Sequence, residues 1–329
     1  MGHGRWDDNT WAAAASYRRA RGIDDFQASG DMHRRPRQLW AADPALEPKG
    51  VSVRESRDSA DHPISVPIAV LFDVTGSMGR VPRILQQQLA TLHGLLKGAG
   101  LPAEPQVMFG GIGDAETDQV PLQVGQFESD NRMDDQLRAL FLEGGGGGQK
   151  SESYELAGYF MGAHVSTDSW EQRGEKGFLF LIGDELNKSV LSPAAVREVL
   201  GDEIPRPVPV ARLYADLQQR WHVFFLLPAG TSYYNDREIA RHWTSLLGDG
   251  FIKVPDVEQV VPTIVDLVAE RTGAAGTGSV FGTRPEAHAG NGGATGFTGT
   301  TTAARQAGTD LVHHPLRTLR RLALPGGAR

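Results

Sequence analysis

Residues 68–79 read Ile-Ala-Val-Leu-Phe-Asp-Val-Thr-Gly-Ser-Met-Gly, and this stretch constrains the fold more than any other. The run from Ile68 to Phe72 is apolar at every position, the pattern of a strand covered on both faces. It stops at Asp73. Thr75 and Ser77 follow at alternate positions with Gly76 between them, so one carboxylate and two hydroxyls share a tight turn at the end of a buried strand. Hard oxygen donors gathered this way suit a hard divalent cation, Mg²⁺ or else Mn²⁺ or Ca²⁺.

Similar runs recur downstream. Phe178 to Ile182 and Val223 to Leu227 are apolar throughout, whereas Pro121 to Phe127 alternates, as an antiparallel edge strand does. The pattern predicts strands at 66–72, 106–112, 120–127, 177–182, 221–227 and 250–254. It predicts helices at 81–97, 133–142, 152–164, 193–201, 208–219, 235–247 and 256–272. The last of these is the clearest, with Val257, Val260, Val261, Ile264, Val265 and Val268 on one face. Strands alternating with helices specify an α/β fold: a doubly wound, mostly parallel central sheet with helices on both faces and one antiparallel edge strand.

This pattern occupies residues 63–272. Residues 1–62 are polar and irregular, and read as a solvated lead-in strap with one short helix from Thr10 to Arg21, capped by Thr10. Residues 273–329 are rich in Gly, Thr and Ala, the composition of a disordered tail. That tail carries six Arg against two acids, so the rest of the chain, whose total is −7, stands at −11. Its end interleaves Leu316, Leu319 and Leu322 with Arg317, Arg320 and Arg321 and is a candidate dock for a second partner.

Three loops are expected to meet at the carboxyl edge of the sheet, where α/β folds place their ligands. The first holds Asp73, Thr75 and Ser77. The second runs from Glu143 through five glycines to Gln149-Lys150-Ser151-Glu152-Ser153. The third is Gly183-Asp184-Glu185, directly after the strand 177–182. Asp114, in Gly113-Asp114-Ala115-Glu116, also ends a strand and reads as a supporting group or a turn residue.

On these residues the chain resembles the von Willebrand factor A domain family, in its intracellular bacterial type. Asp73-Val74-Thr75-Gly76-Ser77 is similar to that family's metal-ion-dependent adhesion motif, Asp-x-Ser-x-Ser, with Thr75 in place of the first Ser. Asp184 falls where the family has the Asp of its third loop. The second loop departs from the pattern: the family commonly has a Thr there, and Glu152 stands in its place, with Ser151 and Ser153 as alternatives. The resemblance implies that Thr75 and Ser77 coordinate a divalent cation directly, that Asp73 and Asp184 bind directly or through water, and that Glu152 completes the set. It also implies a non-enzymatic module in which the cation grips an Asp or Glu of a protein partner, with an AAA+ ATPase assembly as a candidate setting.

Two enzymatic readings compete. Gly144 to Ser151 nearly spells a phosphate-binding loop, but Gln149 occupies the position where that loop needs glycine. Asp73-Val-Thr-Gly-Ser with Gly183-Asp184 resembles a magnesium-dependent phosphatase of the haloacid-dehalogenase type, with Asp73 as nucleophile. That reading lacks the usual second Asp at Thr75 and leaves the glycine loop without a role.

Composition narrows the classes further. A net charge of −7 gives no electrostatic footing for nucleic acid as the main partner. The absence of cysteine excludes disulfides and thiolate metal sites and fits an intracellular protein. Met1 to Trp6 carries no apolar signal core, and no run approaches the roughly 18 residues of a membrane span, so a cytoplasmic location is expected.

Overall fold

The apolar run at residues 68–72 is the centre of a six-stranded sheet in the computed structural model, which describes residues 4–23, 27–101, 104–145, 148 and 150–274. The strands are β1 (Ser65–Asp73), β2 (Glu104–Ile112), β3 (Leu122–Val124), β4 (Gly177–Ile182), β5 (Trp221–Pro228) and β6 (Phe251–Val254). Their spatial order is β6-β5-β4-β1-β2-β3. All neighbours run parallel except β3, which pairs antiparallel with β2 at the edge. The sheet is the doubly wound one expected. The order reverses between β1 and β4, and this is where such sheets open a crevice at the carboxyl ends of their strands.

Before the sheet lie α1 (Asp8–Ala20) and α2 (Gln27–His33). Within it follow α3 (Val81–Leu89), α4 (Leu92–Gly98), α5 (Arg132–Ala139), α6 (Tyr154–Ala163), α7 (Asp168–Arg173), α8 (Pro193–Leu200), α9 (Val210–Leu217), α10 (Arg237–Leu247) and α11 (Val260–Thr272). Alternation along β1 sends Ile68, Val70 and Phe72 to one face and Ala69 and Leu71 to the other. The first face packs on α3, α4, α5 and α11, the second on α6, α8, α9 and α10. Covering both faces is why these strands are apolar at every position.

Several boundaries differ from the sequence expectation for identifiable reasons. The helix expected over 81–97 breaks between α3 and α4, where the Thr91 amide and hydroxyl both donate to the Gln88 carbonyl. The helix expected to 142 ends at Ala139, because Gln123 takes the next backbone groups: Phe141 N donates to its Oε1 and its Nε2 donates to Phe141 O, each at 2.8 Å. The edge strand shrinks from 120–127 to Leu122–Val124. The helix expected from 152 starts at Tyr154, since Ser151–Glu152 pairs in parallel with Leu186–Asn187. The first helix is capped by Asp7, whose Oδ1 accepts from Thr10 N at 2.8 Å, rather than by Thr10.

The segment before residue 63, expected as a solvated lead-in, packs on the sheet instead. Leu46 is fully buried, and its carbonyl accepts from Val124 N at 2.8 Å, covering the free side of edge strand β3. Arg54–Ser56 pairs in parallel with Val165–Thr167. Trp6 and Trp11 pack against the α3–α4 side of the core. The basic Leu/Arg tail expected to be disordered lies outside the described residues from 275 onward. No helix among the described residues is long and apolar enough to cross a membrane.

Candidate metal centre

β1 and β4 end side by side, with Phe72 opposite Ile182, so their following loops start at the crevice. The first loop turns at once. The Thr75 amide and hydroxyl both donate to Asp73 Oδ1, at 2.8 and 2.6 Å. Thr75 Oγ1 lies 3.3 Å from Ser77 Oγ, and Ser77 Oγ donates to Asp184 Oδ1 at 2.7 Å. One continuous chain of oxygens therefore joins Asp73, Thr75, Ser77 and Asp184 across the first and third loops.

The glycine loop is zipped to the first. Gly76 N donates to Gly145 O and Gly144 N to Val74 O. A Cβ on Gly76 would sit 2.4 Å from the Gly145 carbonyl oxygen, so only glycine permits the approach. Gly146, Gly147 and Gln149 lie outside the described residues. Beyond them the second loop is stitched to the third by the parallel pairing of Ser151 with Leu186 and Glu152 with Asn187. That pairing places Glu152 against the third loop, where it faces Asp73 and Glu185 electrostatically. Ser153, one of the two alternative ligands, turns away: its hydroxyl accepts from Ala115 N at 3.0 Å.

Two contributors were not singled out as site residues in the sequence. Tyr154, the first residue of α6, donates its hydroxyl to Asp73 Oδ2 at 2.9 Å. A Cβ on Gly183 would lie 1.9 Å from that hydroxyl, which explains the glycine before Asp184. Glu185, 4% exposed, lies directly after Asp184 in the third loop. The 229–236 loop after β5 adds Tyr233 N, which donates to Asp184 Oδ2 at 3.0 Å. Asp114 is a turn residue and ion-pair partner: it accepts from Glu116 N and meets Lys188 Nζ at 3.0 Å.

The electrostatics of the cluster are dominated by burial and by like charge. Burial, with Asp184 and Glu185 nearby, pushes the Asp73 carboxyl up to about 8 against the hydrogen bonds from Thr75. Burial and Asp184 raise Glu185 to about 7. Glu152 is driven well above the carboxylate range by burial, then by Asp73 and Glu185. Asp184 is raised chiefly by burial and held back by hydrogen bonds from Ser77 and the Tyr233 amide. No basic side chain figures among the leading influences on these four acids. One oxygen of Glu152 and one of Glu185 are buried without a hydrogen-bond partner among the described residues. Uncompensated buried carboxylates are costly unless a cation balances them.

No three Asp, Glu or His side chains among the described residues close on one point as an all-carboxylate or histidine cage would. What converges is a mixed donor set, two hydroxyls flanked by carboxylates, with Gly76 exposed and Ser77 half-buried at its mouth. This set fits a hard cation.

No family model matches the chain, and no curated protein does. Solved structures do. Proximal thread matrix protein 1 from the mussel byssus is 9% identical over 62% of this chain and 47% of its own, with a TM-score of 0.40. A structure of that protein described as having a zinc-occupied MIDAS motif is 10% identical over 65% and 48%, TM-score 0.41. The pilus adhesin SpaC from Lactobacillus rhamnosus GG is 10% identical over 67% and 31%, TM-score 0.42. The chain spans less than half the length of these structures.

Proposed function

We propose that this chain is a von Willebrand factor A-like module of the intracellular type that binds one divalent cation, magnesium or manganese or calcium, and uses it to hold an acidic group of a protein partner. Thr75 and Ser77 supply hydroxyl ligands, Asp184 and Glu152 supply carboxylates, and Asp73 orients the hydroxyls and binds directly or through water. The cation supplies a Lewis-acid position that an Asp or Glu from the partner completes. The observation that carries the reading is the oxygen chain from Asp73 through Thr75 and Ser77 to Asp184 at the point where the strand order reverses. A depression of about 650 Å³, lined by Arg37, Trp40, Glu143 and Gly145, lies beside the glycine loop. The cysteine-free sequence suits a reducing compartment, and an AAA+ ATPase assembly is the partner class that the family resemblance suggests.

A phosphatase with Asp73 as nucleophile is disfavoured by the same geometry. Asp73 is fully buried, Oδ1 accepts two hydrogen bonds from Thr75, and Oδ2 accepts one from Tyr154. Neither oxygen is presented for in-line attack on phosphorus. The deciding experiment is affinity capture from lysate with wild type and Asp73→Ala, each in Mg²⁺ and in EDTA. A protein retained only by wild type with the cation supports the adhesive reading; equal retention in all four samples refutes it.

A further inference from the structure

The glycine loop starts beside a residue whose backbone is held by the strap. Leu142, 8% exposed, lies two positions before Gly144. Its amide donates to Ser29 Oγ at 3.1 Å. Its carbonyl accepts from His33 Nε2 at 2.9 Å and from Ser29 Oγ at 3.4 Å. Both partners belong to α2, and Ser29 is itself 1% exposed. Among the described residues these are the hydrogen bonds that satisfy the Leu142 backbone, and a buried amide and carbonyl left unpaired are costly. Just beyond, Gly144 N donates to Val74 O at 3.0 Å and Gly145 O accepts from Gly76 N. One linked series therefore runs from α2 through Leu142 and the glycine loop to the turn that carries Thr75 and Ser77. Neighbouring ties act on other groups: Gln123 holds the Phe141 backbone, and the amides of Gln119 and Val120 hold the Glu143 carboxylate at 3.0 Å each.

α2 is lightly anchored. Met32 and Trp40 pack with Ala42, Val120 and Phe141 in a small cluster apart from the two main cores, and the His33 ring stands edge-on to Trp40 at 4.9 Å between centroids. A segment held by such a satellite cluster opens at lower cost than the main core does. We propose that α2 is a detachable clamp on the metal turn, with Ser29 and His33 as positioning residues that act through Leu142 and the glycine loop on the backbone of Val74 and Gly76. When α2 lifts, the Leu142 amide and carbonyl lose these partners, and the glycine loop opens to let water replace them. Coupling between two sites is reciprocal, so a cation that orders the turn also tightens α2. That second half rests on the metal-centre reading above; the first half stands without it.

The test is amide hydrogen exchange of the full chain, read by NMR at Gly76 and Gly144 for wild type and Ser29→Ala, without metal and with magnesium chloride. Ser29→Ala removes the acceptor of the Leu142 amide and one donor to its carbonyl. Exchange at Gly76 and Gly144 is expected to rise about tenfold in the metal-free variant, with the amides of β4 and β5 unchanged. His33→Phe keeps an aromatic ring, removes the other donor and takes the place of Ser29→Ala if circular dichroism finds that variant unfolded. Unchanged exchange at Gly76 and Gly144 in a folded variant overturns the clamp. An equal rise across β4 and β5 overturns it too, since that is general loss of stability. Magnesium is expected to slow exchange at Gly76 in the wild type, and Ser29→Ala to need about tenfold more magnesium for the same protection. An equal requirement overturns the coupling to the site. Magnesium without effect on the wild type overturns the metal-centre reading, and the metal-free comparison then decides the clamp alone.

Discussion

The hydroxyl of Tyr154 donates to Oδ2 of Asp73 at 2.9 Å, joining the start of α6 to the end of β1 inside the sheet crevice. The ring is fully buried and edge-on to Phe225 and Trp243, at 5.4 and 5.3 Å between centroids. Packing therefore fixes where the hydroxyl points, and the hydroxyl fixes the rotation of the carboxylate that organises Thr75 and Ser77.

Tyr154→Phe keeps the packing and removes the donor. It leaves a buried carboxylate oxygen unpaired, which costs about 1–3 kcal/mol in denaturant unfolding. Groups that orient a metal's surroundings typically change affinity by about 10–100-fold when removed, and a drop in that range is expected in cation titration. Unchanged affinity would mean that Asp73 is positioned by Thr75 alone.

Much of this was legible in the sequence. Buried strands read as unbroken apolar runs, so β1, β4 and β5 and the loops after β1 and β4 were located, and with them Asp73, Thr75, Ser77 and Asp184. Those residues sit in short motifs tied to strand ends, which local pattern captures. Tyr154 was not legible, because an aromatic at the start of a helix looks like core until its hydroxyl is seen to reach a residue 81 positions away. Glu185 beside Asp184 carries a signal, two acids ending a buried strand, but its setting depends on the pairing of Ser151–Glu152 with Leu186–Asn187, which no local pattern shows. The packing of the strap is hidden from the sequence for the same reason: Arg54–Ser56 is three residues long, and its partner strand lies over a hundred positions on.

Leu46 tests whether that strap belongs to the folded unit. It is fully buried in the core cluster of α3 and α11, and its carbonyl caps β3. Leu46→Ala removes buried methyls and leaves a cavity, so a loss of about 2–5 kcal/mol is expected in urea unfolding, with one transition retained. A change below about 0.5 kcal/mol, the size usual for surface positions, would place the strap outside the cooperative unit.

His222 gives a pH signature remote from the metal centre. Its ring lies 5.1 Å from Phe178, and burial, then Lys176 and Arg271, lowers it to about 4. The unfolded histidine titrates near about 6.5. Between those values the unfolded chain holds a proton that the folded chain refuses, so stability is lost as pH falls from about 6.5 to 4. The side chain is half-buried, and solvent screening keeps the effect to about 1 kcal/mol. His222→Gln should gain on the wild type in melting temperature as pH falls through this window. Parallel curves for the two proteins would contradict it.

The site carboxylates act in the opposite direction. Asp73 near 8 and Glu185 near 7 are raised above the unfolded carboxylate value of about 4. In EDTA the folded chain therefore binds more protons than the unfolded chain across this interval. Their contribution to stability is present below about pH 4 and is lost as pH rises through about 7 to 8. A cation replaces those protons, so saturating metal should flatten the slope. Titration at pH 7 in buffers of different ionisation enthalpy should register release of about one proton or more per ion, and less at pH 9. No release at pH 7 would mean that the ion binds away from these acids.

Asp73→Asn separates the structural from the adhesive role of the site. The amide oxygen can still accept from Thr75, and Tyr154 can reverse its hydrogen bond to accept from the amide nitrogen, so the fold is expected to survive. One buried acid repelled by Asp184 and Glu185 is gone, and the variant should match or exceed the wild type in EDTA by about 1 kcal/mol. Adding cation should raise the melting temperature of the wild type by mass action and leave the variant almost unmoved. Partner capture should be lost with it. A variant that unfolds in EDTA, at a temperature where the wild type stays folded, would make Asp73 a structural residue whose hydrogen bonds the sheet cannot spare.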